Sequence, residues 1–351
     1  MTELPYSKLP SAELDALLDS ACQSMGAEID GLRLPKLAAV VLGGGYGRGE
    51  GGVCRTPQGD RPYNDLDLFV FSDGASRGEA RRIAAELAKL AERWGQRIGV
   101  AVDLSPVKEL RSLPRVANKL MYQELVRGWR PIWGTVDLAA LIPLRPPEEL
   151  PFSEAVRLIL NRGMGLVFAG EYLARGSKDD DFIMRNMQKS QLGGGDALLI
   201  AAGKYRWRSE ERLDALREYV RSEHLPERIT TNYECALRYK AEPVPVLPAD
   251  PSAMWQEFRM CFLEAARHVA GCAPEAGAAE VIRGFRRRAA AERSLRNFLR
   301  WQLRGRCFRS PAALFDPPEV TVAGMLYKLI AENRQYPECP RKLYRLWTKF
   351  N

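Results

Sequence analysis

Apolar residues recur along the first third of the chain with two distinct periods. In AELDALLDSACQSM (12–25), Leu14, Leu17, Leu18 and Met25 fall at helical spacing behind Ser11, a natural N-cap, so an amphipathic helix is expected to open the fold. LAAVVL (37–42) and DLDLFVF (65–71) are short, bulky apolar runs and read as buried strands. EARRIAAELAKLAERWG (79–95) returns to the helical period, with Ile83, Leu87, Leu90, Ala91 and Trp94 on one stripe, and IGVAVDLSPV (98–107) reads as a third strand. The resulting order, helix, strand, strand, helix, strand, predicts an α/β unit over residues 1–150, closed by the proline-rich PLRPPEELP (143–151).

Strand signals then fade. SEAVRLILNRGMGLVFAGEYL, DFIMRNMQKSQLGGGDALLIAAGKY and SEERLDALREYVRSEH predict a helical second domain over 151–241. EPVPVLPADP (242–251) holds four prolines, cannot continue a helix, and reads as a linker to a helical, arginine-rich region at 252–351. The triple glycine 193–195 would cost about 2–3 kcal/mol inside a helix, which points to a helix break or a close backbone approach beside Asp196. The expected class is therefore α+β, a mixed sheet with helices followed by helical domains.

At 351 residues the chain exceeds one ordinary core, and 46% hydrophobic with 27% charged residues is a globular composition. No apolar run nears the eighteen or so residues of a membrane span, and the N-terminus lacks a hydrophobic signal core, so a cytoplasmic protein without membrane partners is expected. Seven scattered cysteines, never spaced CxxC, speak against a disulfide framework or zinc site. With two histidines, His224 and His268, chemistry must rest on carboxylates, hydroxyls, lysines and bound metal.

The candidate chemistry lies at 43–71, where GGGYGRGEGG (43–52) precedes NDLDLFVF (64–71). Asp65 and Asp67, two apart on a strand, project from one face while Leu66 and Leu68 take the other. Unpaired, two such carboxylates repel; a divalent cation between them removes the conflict, and Mg²⁺ binds through one or two carboxylates plus substrate phosphates. Asp103, mid-strand between Val102 and Leu104, is costly without a partner, which a shared metal would supply. On a neighbouring strand it would bind a second ion and take the proton from an attacking hydroxyl. Glycines let backbone N–H groups approach phosphate oxygens, although the loop fits neither the P-loop nor the dinucleotide-binding pattern.

This constellation resembles the DNA polymerase β-like nucleotidyltransferase superfamily, in which a glycine-serine turn, a D-x-D strand and a third aspartate on a later strand hold a metal-bound triphosphate. GGYGRGE, Gly44–Glu50, is similar to the GSYARGE-like stretch of bacterial members. The resemblance implies phosphate contacts at Gly44 and Gly45, with Arg48 and Glu50 in the same nucleotide-binding stretch. It implies metal ligands at Asp65, Asp67 and Asp103, with two Mg²⁺ or Mn²⁺ ions. A helical-domain lysine reaching the triphosphate would be Lys189, or else Lys204. Two departures stand out: Gly45 replaces the usual serine, and the stretch before Asp65 is longer than in typical members. The resemblance is specific over 38–107, softer to about 205, and implies transfer of a nucleoside monophosphate from an NTP or dNTP with release of pyrophosphate. The acceptor stays open between a nucleotide or oligonucleotide, as in bacterial antiviral defence, a small amino sugar, and a protein or tRNA. A degenerate nucleotide-binding module is the reading outside enzymology.

Residues 283–309 contain ten arginines and one acidic residue, Glu292. Arg293, Arg296, Arg300 and Arg304 would share one helix face and Leu295, Leu299 and Leu303 another, as for a basic helix docked on a core and offering a face to a phosphate backbone. Phe298, Trp301 and Phe308 read as core residues. The net charge of +8 agrees with a polyanionic partner.

Overall fold

The computed structural model describes residues 5–304, 314–332, 336 and 338–350. The chain is α+β and divides into two compact units, Met1–Pro146 with Arg238–Val244, and Pro147–Leu237 with Pro245–Asn351.

The first unit runs α1 (Ala12–Gly31), β1 (Leu37–Leu42), a single turn α2 (Gly44–Gly47), β2 (Val53–Cys54), β3 (Arg61–Pro62), β4 (Leu66–Ser72), α3 (Arg77–Ile98), β5 (Val102–Leu104), β6 (Lys108–Glu109), α4 (Leu120–Leu125), β7 (Arg130–Gly134) and α5 (Leu138–Leu141). The main sheet is ordered β5-β4-β1-β7, with β6 also beside β4; β1 is antiparallel to β4 and β7, while β4 and β5 are parallel. Ser11 caps α1 as its sequence predicts, accepting from the Leu14 N–H, and Ser76 with Glu79 forms a capping box on α3.

Alternation on β4 divides its side chains between two cores. Leu66, Leu68 and Val70 pack with Leu14, Leu18, Ile83 and Leu87 of α1 and α3, while Phe69 and Phe71 join Ala39, Val41, Leu113 and Leu125 on the other face. Each such side chain, once fully buried, contributes about 1.5–3 kcal/mol. Both faces of the strand are thus covered along its apolar middle, with Asp67 near its N-terminal end and Ser72 at its C-terminal end.

Two elements differ from the sequence reading. The third strand does not span 98–107: α3 continues through Ile98, Gly99 ends it in the left-handed conformation at φ 85°, and only Val102–Leu104 pair with β4. β7 carries Pro131 and shows no alternation, which hides an edge strand that pairs on one side only.

The second unit is helical: α6 (Phe152–Ala174), α7 (Asp180–Ala201), α8 (Ser209–Ser222), α9 (Arg228–Ala241, whose last turn belongs to the first unit), α10 (Pro251–Val269), α11 (Ala278–Arg288), α12 (Leu295–Arg304), α13 (Pro318–Glu332) and α14 (Arg341–Phe350). The sequence divides this region at the proline-rich 242–251, whereas 147–237 and 245–351 here form one body. The cause is packing across that stretch. Trp255 of α10 is buried, donates from Nε1 to the Leu166 carbonyl at 2.9 Å, and lies flat on Gly170 of α6.

α7 passes unbroken through Gly193–Gly195, and two of these positions are close approaches: a Cβ on Gly193 would enter the Arg162 side chain, and one on Gly195 would meet Tyr233 and Leu216. Asp196 accepts from the Tyr233 hydroxyl at 2.6 Å and lies 3.7 Å from Arg212 Nε, so it is tied inside the helical unit.

Candidate active site

Asp67 of β4 and Asp103 of β5 are Cα partners in the parallel ladder, flanked by the pairs Leu66 with Val102 and Leu68 with Leu104. The ladder is knitted by Leu66 N–H to Ala101 O at 2.9 Å and Ser105 N–H to Leu68 O at 2.8 Å. Partners in register project from the same face, and neighbouring strands lie about 4.8 Å apart, so the two carboxylates emerge side by side. Leu66, Leu68 and Val102 are buried in the core beneath α3, which turns Asp67 and Asp103 to the opposite face. Asp65 stands one residue before β4, outside the paired strand.

Asp103 does not sit where its sequence context predicts. Asp103 is exposed, because β5 is the edge of the sheet; burial therefore imposes no cost that a metal must relieve. Among the described residues, no group of three or more His, Cys, Asp or Glu side chains is gathered closely enough to hold a metal ion. The donor set still suits Mg²⁺, a hard cation that needs one or two carboxylates with phosphate oxygens completing its shell.

The glycine loop sits directly on this face. Gly43 N–H donates to the Asp67 carbonyl at 2.8 Å, and Gly44, at φ 60°, lies so close to the Asp67 carboxylate that a Cβ would occupy the same space. Only glycine satisfies both the left-handed backbone and that contact. Gly45 is different: it has no positive φ, and a Cβ there would meet the Glu50 carbonyl oxygen at 3.4 Å, an ordinary contact.

Tyr46, not anticipated from sequence, closes the loop. Its ring is 1% exposed and lies against Gly51; its hydroxyl donates to Gly52 O at 2.7 Å and accepts from Tyr63 N–H at 2.8 Å and Asn64 N–H at 3.2 Å. Asn64 Oδ1 in turn accepts from Gly52 N–H at 3.2 Å. The glycine loop is thereby fastened to the residues immediately before Asp65. Burial pushes the Tyr46 phenol up to about 12, against the lowering effect of the two backbone N–H groups. A single aromatic among glycines is the available sequence signal.

Within the loop Glu50 is buried and Arg48 half-buried. Arg48 lies 3.7 Å from Glu50 and 3.3 Å from Glu124 of α4, and Glu50 lies 3.8 Å from Lys240, so they belong to an ionic chain and do not form a solvent-facing pair. The extra residues before Asp65 fold as the β2-β3 hairpin, held by Ser11 Oγ donating to Asp60 at 2.6 Å.

Lys189, half-buried on α7, and Lys204, exposed with Nζ 5.4 Å from the Tyr219 ring centroid, belong to the second unit, while the aspartates belong to the first. The arginine-rich stretch departs from its predicted roles. Leu295, Leu299 and Leu303 are 66%, 50% and 84% exposed, while Asn297 and Trp301 face the core. Arg286 and Arg293 pair with buried Asp316 at 2.7 and 2.6 Å, and Arg300 with buried Glu319 at 2.7 Å; Arg283, Arg287 and Arg296 are exposed. Two buried acids downstream, invisible to helical periodicity, chose the inward face. Arg306, Cys307, Phe308 and Arg309 lie outside the described residues. No helix among the described residues is long and apolar enough to cross a membrane. No protein family matches the chain, and neither a curated protein nor a solved structure matches it significantly.

Proposed function

We propose that the first unit is a polymerase β-like nucleotidyltransferase domain that moves a nucleoside monophosphate from an NTP or dNTP to an acceptor hydroxyl, releasing pyrophosphate. The observation that carries this reading is the register pairing of Asp67 with Asp103, with Gly44 backed onto the Asp67 carboxylate. A glycine loop beside carboxylates paired across two strands would offer amide donors to phosphate and oxygen donors to a cation.

Asp65 and Asp67 would hold Mg²⁺ or Mn²⁺, with Asp103 contributing to a second ion; when bound, the metal neutralises phosphate charge and activates the phosphorus toward attack. The N–H groups of Gly44 and Gly45 orient the triphosphate. Asp103, the exposed member of the trio, accepts the proton of the acceptor hydroxyl as its oxygen attacks the α-phosphorus and the bond to pyrophosphate breaks. For the lysine contact to phosphate that the resemblance implies, Lys189 is the first candidate and Lys204 the second. The net charge of +8 and exposed Arg283, Arg287 and Arg296 favour a nucleotide or oligonucleotide acceptor, and with it a cytoplasmic role in defence signalling or untemplated synthesis. A small amino sugar and a protein or tRNA remain the alternative acceptors.

Incubation with each labelled NTP and dNTP plus Mg²⁺ or Mn²⁺ tests the proposal. Pyrophosphate release that disappears in Asp67→Asn supports it, and a ladder, a labelled small product or labelled protein assigns the acceptor. A second reading, a nucleotide-binding module without chemistry, is favoured by Gly45 in place of serine. Binding of Mg-ATP without any pyrophosphate would select it.

A further inference from the structure

The first unit includes seven residues from far along the chain, Arg238–Val244, and their contacts converge on the glycine loop and its hairpin. Lys240 Nζ is 3.8 Å from Glu50 Oε2, and Gly52 lies flat against the Lys240 carbonyl, leaving no room for a Cβ. The Tyr239 hydroxyl is 2.9 Å from that of Tyr63, their rings meeting edge to face at 6.1 Å. Glu242 lies 3.5 Å from Arg55. Three side chains and a carbonyl from one short segment therefore touch both ends of the stretch 50–63.

Charge makes Lys240 the key member. Glu124, Arg48, Glu50 and Lys240 alternate in sign, with Glu50 only 8% exposed between two cations. Removing one partner from such a chain leaves a desolvated charge behind, a far larger effect than losing a surface pair. Glu50 N–H also donates to the Gly45 carbonyl at 2.8 Å, so displacement of Glu50 is transmitted directly to the phosphate-facing glycines.

We propose that Lys240 is a positioning residue: through Glu50 it holds the loop 43–52 in the shape that receives the triphosphate. Its role in holding the loop stands on these contacts alone, and its consequence for nucleotide rests on the function proposed above. The segment 238–244 is thus a strap on the nucleotide loop. Tyr239 and Glu242 fix the hairpin side, and Lys240 fixes the glycine side.

Hydrogen exchange on the full chain tests the strap independently of catalysis. In Lys240→Met, amides of 43–52 are expected to exchange about tenfold faster while those of 37–42 and 66–72 stay as in the wild type, and Lys240→Arg restores protection. Should Lys240→Met exchange faster throughout, Glu50→Gln, which keeps the shape and removes the charge, must give the local pattern. Unchanged exchange at 43–52 in both variants overturns the proposal. Titration with Mg²⁺ and a non-hydrolysable ATP analogue is the second arm: a Kd weaker by about tenfold in Lys240→Met, restored in Lys240→Arg, supports loop positioning for nucleotide. Loop exchange that responds to Lys240→Met, in a wild-type protein that binds no nucleotide, upholds the strap and removes the nucleotide reading.

Discussion

Asp67 and Asp103 are partners across adjacent parallel strands, while the residues flanking them, Leu66 and Val102, are buried together beneath α3. The same ladder that packs the core thus aligns two carboxylates on its other side. Asp103→Asn keeps size and register but cannot accept a proton. It is expected to lower kcat for pyrophosphate release by about 10²–10⁴-fold with little change in nucleotide KM. Steady-state kinetics with Mg-NTP checks this, and an unaltered kcat would remove Asp103 from the chemistry.

Neighbouring glycines of the loop should answer differently to substitution. Gly44→Ala places a methyl where the Asp67 carboxylate lies and strains a backbone at φ 60°, so it should cost about 1–3 kcal/mol and abolish activity. Gly45→Ser fits the available space and should leave Tm unchanged within about 1 °C while lowering nucleotide KM. Thermal melts with KM measurements separate the two; a large loss of Tm in Gly45→Ser would contradict the geometry.

Tyr46→Phe removes one donated and two accepted hydrogen bonds from a buried hydroxyl and is expected to cost about 1–3 kcal/mol in denaturant titration. The wild type should also weaken in alkali. Because burial holds the phenol up near 12, above its ordinary value of about 10, the folded state keeps its proton longer. Its contribution is complete below about pH 10 and is lost as pH rises toward about 12. A tyrosinate absorbance titration of wild type against Tyr46→Phe should lack one late-titrating group in the variant.

On the acid side the sensitive group is Glu319 of α13. Burial pushes its carboxyl up, but the hydrogen bond from Arg300 and the charges of Arg157 and Arg300 outweigh burial and hold it below the ordinary range. A lowered carboxyl stabilises the fold above about pH 4.3 and ceases to do so as pH falls through its folded value. Glu319→Gln should cost about 3–5 kcal/mol at neutral pH, since both arginines lose their buried partner, and should flatten the acid limb of Tm against pH. An acid limb of unchanged steepness would assign it to other carboxylates.

In α7, Gly194→Ala meets only the Ala265 methyl, at 3.4 Å, and should gain up to about 1 kcal/mol through helix propensity. Gly195→Ala drives a methyl into Tyr233 and Leu216, 2.8 Å from the latter, and should lose about 1–3 kcal/mol. Equal effects at the two positions would mean that α7 packs otherwise.

Local periodicity made much of this protein legible in its sequence. The 3.6-residue stripes of α1 and α3 and the apolar runs of β1 and β4 depend only on residues near one another, whose geometry the backbone fixes. What the sequence could not specify was pairing at a distance. β5 lies beside β4 in the register that matches Asp103 with Asp67, and being an edge it leaves Asp103 exposed. Lys240 returns to Glu50 from 190 positions away along the chain. Asp316 pairs with Arg286 and Arg293 and Glu319 with Arg300, while Leu295, Leu299 and Leu303 of α12 are left to solvent. An amphipathic helix has two candidate inner faces, and the choice between them is made by whatever buried charge or apolar surface the rest of the fold presents.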